Sequence, residues 1–110
     1  MDSLYMAWTT VESQADAERL ASGMIDAKLA ACVQIEGPIT SCYRWQGKME
    51  KSTEWRLLCK IPAPRLDAIE TWILQNHPYE TPQWIVVEAT HVSPGYLHWA
   101  TLESSESKSE

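Results

Sequence analysis

The chain has three cysteines but no C-x-x-C pair. They are spaced Cys32-x9-Cys42-x16-Cys59, an odd number that makes neither a disulfide framework nor a zinc-knuckle spacing. No long apolar run opens the sequence, and Met1-Asp2-Ser3-Leu4-Tyr5 carries no basic flank, so neither a signal peptide nor a membrane span is expected and a reducing, cytoplasmic setting follows. Positive charge is scarce. Nine basic residues against 15 acidic ones leave a formal charge of −6, without the footprint that drives phosphate-backbone binding, so nucleic acid is not an expected partner. No glycine-rich phosphate loop and no Ser/His/Asp or metal-hydrolase spacing is present, so no catalytic residue is assigned. The sequence does have 45% apolar residues and six tryptophans in 110 positions, which is enough for one domain with a real core.

The longest ordered pattern is a hairpin from Ala31 to Ile61. One arm reads Ala31-Cys32-Val33-Gln34-Ile35, breaks at Gly37-Pro38 and continues from Ile39 to Trp45. After a Gln46-Gly47 turn the return arm passes through Glu54-Trp55-Arg56-Leu57-Leu58-Cys59-Lys60-Ile61. Both arms are rich in β-branched and aromatic residues, and Gly47 supplies the positive φ of a tight turn. Each arm of roughly 14 residues spans about 46 Å if extended. A chain of this size has a radius of gyration of about 13 Å and a body about 34 Å across. The hairpin should therefore overhang its own domain, and Tyr43 and Trp45 on bare edges call for cover by further copies of the chain.

Alternation of Leu4, Met6 and Trp8 with Tyr5 and Ala7 predicts a first strand. Ser13 is a candidate N-cap, and Ala17, Leu20, Ala21, Met24 and Ile25 predict a helix reaching about Leu29. Pro62 and Pro64 start a second helix with Leu66, Ile69, Trp72 and Ile73 inward, stopped by Asn76 and His77-Pro78. Trp84 to Thr90 predicts a fourth strand, Tyr96 to Leu102 one or two helical turns, and 103–110 a disordered tail of serine and charge, leaving 1–102 as the domain. The class is α+β, and the order β-α-β-β-α-β is that of the ferredoxin-like fold, here with a long β2-β3 hairpin and a short C-terminal helix; the first and third strands are central. Acylphosphatases share that fold, but Trp8-Thr9-Thr10-Val11-Glu12 lacks the arginine and glycines of their phosphate cradle. RNA-recognition modules and metal chaperones share it too; acidity and the missing glycine-aromatic strand signature argue against the first, and the missing C-x-x-C against the second.

Thr9-Thr10, Leu29-Ala30-Ala31-Cys32-Val33, Ser41-x-Tyr43-x-Trp45-x-Gly47-Lys48, Glu54, Lys60, His77-Pro78-Tyr79-x-Thr81-Pro82 and Tyr96-Leu97-x-Trp99 together resemble the CutA family of divalent-cation tolerance proteins, from about Tyr5 to Leu102. The resemblance implies a homotrimer in which long hairpins join inter-subunit sheets, on a plan like that of PII-type signalling proteins, and a role in tolerance of copper and other divalent ions. It places Tyr43, Trp45, Gly47 and Trp99 at a trimer interface, and makes Lys60 and Tyr79 candidates to line a ligand cleft. The sequence departs from the family pattern at Trp8, where many bacterial members have cysteine, at Asn76 in place of a second histidine, at Gln83 in place of glutamate, and at Trp84 in place of a smaller aliphatic residue. These changes remove a thiolate, an imidazole and a carboxylate from the ligand set.

In a regular hairpin centred on Gln46-Gly47, Cys32 faces Ile61 and lies diagonally from Cys59 on the same face, at about 7 Å, where two thiols could take a soft ion. Alternatively both are small buried hydrophobes, with a bulge at Gly37-Pro38 separating their faces. His77, at a helix end, could ligate a metal or hydrogen-bond a free carbonyl, and Glu54 could add an oxygen ligand. Tyr43, Trp45 and Trp99 read as packing anchors between subunits. Lys60 could meet an anion or pair with an acid. The leading expectation is thus a trimeric, non-enzymatic protein that binds a divalent metal, with Cu²⁺ as candidate. The alternative is a PII-like trimer binding an anionic small molecule between subunits.

Overall fold

In the computed structural model, which describes residues 3–105, the chain turns back on itself at Gln46 and Gly47, whose φ angles of 52° and 80° are both positive. That is the requirement of a two-residue type I′ hairpin turn, and Trp45 pairs with Lys48 across it. The turn joins β2 (Cys32–Trp45) to β3 (Lys48–Pro62). The remaining elements are β1 (Leu4–Val11), α1 (Gln14–Asp26), α2 (Leu66–Asn76, after a 3₁₀ turn at Ala63–Arg65), β4 (Ile85–Glu88) and α3 (Pro94–Glu103). All strand pairs are antiparallel, and the sheet order β2-β3-β1-β4 puts β1 and β3 in the centre, as the ferredoxin-like order requires.

Alternation decides which side chains meet the helices. Ala7 and Val11 from β1, Leu57, Cys59 and Ile61 from β3, and Val33 and Ile35 from β2 share one face. They pack with Ala17, Leu20 and Met24 of α1 and Ile69 and Ile73 of α2. The opposite face carries Met6, Trp8, Leu58, Ile85 and Val87, of which Ile85 is 55% and Val87 42% exposed. α3 reaches this face at Lys60, whose Nζ lies 5.5 Å from the centre of the Tyr96 ring.

The overhang is present. Pairing of β1 with β3 stops at Val11 and Trp55, so β3 residues 48–54 run on with β2 as their only strand partner. The long axis is 51 Å against 29 and 21 Å, and the radius of gyration is 15.0 Å.

Local chemistry accounts for the element ends. Ser13 caps α1, its Oγ accepting from the Asp16 amide at 3.0 Å. The helix stops at Asp26, short of Leu29, because Lys28 turns left-handed with φ 58°. The Leu29 and Lys28 amides then donate back to Met24 and Ile25 carbonyls at 2.9 and 3.0 Å, a Schellman ending without glycine. Arg65 Nε donates to the freed Lys28 carbonyl at 2.9 Å. β4 is shorter than expected, and α3 begins two residues before Tyr96, with Pro94 in its first turn. The expected tail from Glu103 starts too early: Glu103 is helical and Ser104 is buried. Residues 106–110 lie outside the described residues.

Candidate functional site

α2 ends at Asn76 beside the end of β1, which brings His77 against Thr9 and Thr10. The imidazole Nε2 is 2.9 Å from Thr9 Oγ1 and 3.0 Å from the Thr10 carbonyl oxygen, while Nδ1 is 3.0 Å from the Tyr79 amide nitrogen. An amide N–H can only donate, so Nδ1 is the acceptor and the ring proton sits on Nε2, directed at Thr10. Burial, the largest influence, lowers the His77 pKa from its ordinary value and keeps the ring neutral. The loop then swings Tyr79 around the end of β1, and its hydroxyl donates to Glu54 Oε2 at 2.8 Å. Burial and then this hydrogen bond push the Tyr79 pKa up, so the phenol keeps the proton it donates. Thr9, Thr10, His77 and Glu54 are all buried, Glu54 being 8% exposed.

This chain of hydrogen bonds bears on the expected metal donors. Both His77 nitrogens are engaged, and the Glu54 carboxylate already accepts from Tyr79. Cys32 pairs with Lys60, about 20 Å along β3 from Glu54. Among the described residues, no three of His, Cys, Asp and Glu come together as a metal-holding group. The side chains of one copy, as placed, do not fit a bound cation.

Of the two arrangements considered for Cys32 and Cys59, the register bears out the bulge at Gly37-Pro38 that separates their faces and overturns the shared face. The ladder slips by one residue between Glu36 and Ile39, so Cys32 sits opposite Lys60 instead of Ile61, and Cys59 sits opposite Val33. A one-residue slip turns every later side chain to the other face. Cys59 therefore points into the core, its Sγ 3.8 Å from Met24 Sδ, and burial pushes its pKa to about 12, leaving an inert thiol. Cys32 lies on the opposite face, and Cys42 is exposed on the overhang.

Lys60 and Tyr79, expected to share a cleft, stand apart within one copy: Lys60 near the end of β3, over Tyr96, and Tyr79 at Glu54, near the middle of the strand. Tyr43 and Trp45 are 44% and 55% exposed on the overhang, Gly47 forms its tip, and Trp99 is 41% exposed, its ring 5.4 Å from that of Tyr96. The Asn76 side chain bonds back to the Trp72 carbonyl at 2.8 Å.

Sequence reasoning picked out Thr9, Thr10, Glu54, His77 and Tyr79 singly but missed that they form one connected chain. Thr9 and His77 are 68 positions apart, and joining them to Glu54 takes both the β1-β3 register, which ends beside Glu54, and the path of the loop after α2.

No helix among the described residues is long and apolar enough to cross a membrane. Residues 5–103 match the family model described as CutA1 divalent ion tolerance protein. The divalent-cation tolerance protein CutA of Pectobacterium atrosepticum is 36% identical over 90 residues, 82% of each chain. The crystal structure of divalent ion tolerance protein CutA1 from Ehrlichia chaffeensis superposes with a TM-score of 0.92 at 26% identity, covering 96% of this chain and 99% of that one. A structure titled periplasmic divalent cation tolerance protein CutA, from Archaeoglobus fulgidus, gives 0.88 at 28% identity, covering 93% and 99%. With its fold, its overhanging hairpin and nearly its whole length accounted for in this way, the chain belongs to the CutA1 divalent ion tolerance protein family.

Proposed function

We propose that the chain is a non-catalytic divalent-cation tolerance protein that works in the cytoplasm as a homotrimer, through surfaces formed between copies. The observation that carries this reading is the overhanging ribbon on a molecule 51 Å long: residues 48–54 of β3 have an unpaired inner edge, β2 is an edge strand, and Tyr43, Trp45 and Met49 stand exposed on the same stretch. Bare edges bearing large apolar side chains are stable in solution when another chain completes them. Tyr43, Trp45, Gly47 and Trp99 are the interface residues on this reading. His77, Cys32 and Glu54 remain the donors it offers to a cation, Cu²⁺ included. They meet only where different copies supply them and His77 gives up a hydrogen bond.

Light scattering tests the assembly, with a mass three times the 12.5 kDa chain expected. A well-folded single subunit at micromolar concentration would overturn it. Calorimetric titration of the assembled protein with Cu²⁺ and Zn²⁺ should give saturable binding with a whole-number ratio to the trimer. One observation favours the PII-like alternative. Lys60 faces the Tyr96 ring with no carboxylate paired to it among the described residues, which leaves a cation ready for an anionic small molecule. Saturable nucleotide binding without saturable metal uptake in the same titrations would put that reading first.

A further inference from the structure

We infer that loop 77–82 is a strap, latched through Tyr79 onto the root of the overhanging hairpin, and that the latch fixes the angle at which the hairpin is held out. Four features fall at one level of the ribbon. β1 stops pairing at Val11 and Trp55, which makes Glu54 the first residue of the overhang on β3. The β2 ladder resumes at Ile39, opposite Glu54, after its one-residue slip, and such a slip bends a strand. Gly37, within that slip, lies so close to the Trp55 ring that an added Cβ would come within 2.5 Å of it. The Tyr79 hydroxyl reaches Glu54 at the same level. A ribbon that slips register where its neighbour β1 ends is a joint, and among the described residues Tyr79 reaches its root from outside the hairpin with a side-chain hydrogen bond.

The strap is anchored on the globule side as well. His77 holds Thr9 and Thr10 through Nε2 and the Tyr79 amide through Nδ1, and Arg19 of α1 donates to the Asn76 carbonyl at 3.4 Å. Two prolines, Pro78 and Pro82, restrict the segment between. A buried carboxylate such as that of Glu54 costs free energy unless it is hydrogen-bonded, and the Tyr79 hydroxyl supplies that bond. The latch belongs to the single chain. Its consequence, arms presented at one angle to other copies, rests on the self-assembly proposed above.

Hydrogen exchange on the full chain tests it, with wild type compared against Tyr79→Phe and Glu54→Gln. Loss of the phenol hydroxyl should speed exchange of amides 39–45 and 48–54 about tenfold, while amides 55–61 stay close to wild type. Glu54→Gln, whose amide oxygen still accepts from the phenol, should keep wild-type protection. Unchanged exchange in Tyr79→Phe, an even rise along the whole chain, or Glu54→Gln exchanging as fast as Tyr79→Phe would each overturn the latch. Sedimentation of the same wild-type sample separates the two readings: a single subunit overturns self-assembly, and the exchange comparison still decides the latch.

Discussion

His77 has to remain neutral to do what it does. Protonation would place a second proton on Nδ1, facing the Tyr79 N–H, and two donors cannot share that bond. Its pKa is lowered in the folded chain, so the unfolded chain binds the proton more readily, and stability rises with pH between the folded value and about 6.5. The contribution is fully present above the unfolded value and is lost as pH falls through the folded one. Urea denaturation between pH 7.5 and 5 should show the midpoint falling, and His77→Gln should flatten that part of the profile. At the hairpin root, a Cβ on Gly37 would approach the Trp55 ring at 2.5 and 2.7 Å and the Trp55 Cα at 3.0 Å. The backbone atom cannot rotate away, so Gly37→Ala should cost about 1–3 kcal/mol, readable in the same denaturation experiment.

Whole elements follow from short-range rules, and these were legible in the sequence. Alternation in β1 and the apolar stripes of α1 and α2 are set by residues near one another, so the element order, the central position of β1 and β3 and most of the inward positions of the two helices could be read directly, whereas which face of the sheet meets the helices could not. Ser13 was equally legible, and Ser13→Ala should lower stability by about 1 kcal/mol by thermal melting, because the Asp16 amide loses its acceptor. What was legible only in part, or not at all, depends on geometry that no single residue settles. Gly37-Pro38 marked a bulge in the 14-residue β2 as one of two readings, and only the ladder shows that it slips by one residue and parts Cys32 from Cys59. The end of α1 turns on a left-handed lysine where a glycine would have marked the stop. The link from His77 through Tyr79 to Glu54 needs the strand register and the path of an irregular loop together.

At the scale of the molecule, the opposite sheet face and the overhang leave large apolar side chains bare, Ile85 and Val87 on the one and Tyr43, Trp45 and Met49 on the other. Trp45 is 55% exposed and makes no core contact, so Trp45→Glu should leave thermal unfolding of the protomer nearly unchanged while weakening association by about 2 kcal/mol per copy, seen as smaller species in sedimentation. The two free borders of the ribbon are unlike: β2 is open along its length, and β3 only over 48–54. Copies joined through unlike borders stack head to tail, and such an arrangement ends only if the rotation from one copy to the next brings the last back to the first. On the self-assembly proposed above, the slip where β1 gives out would help set that rotation, so a substitution there that alters it would exchange a closed ring for an open, growing filament.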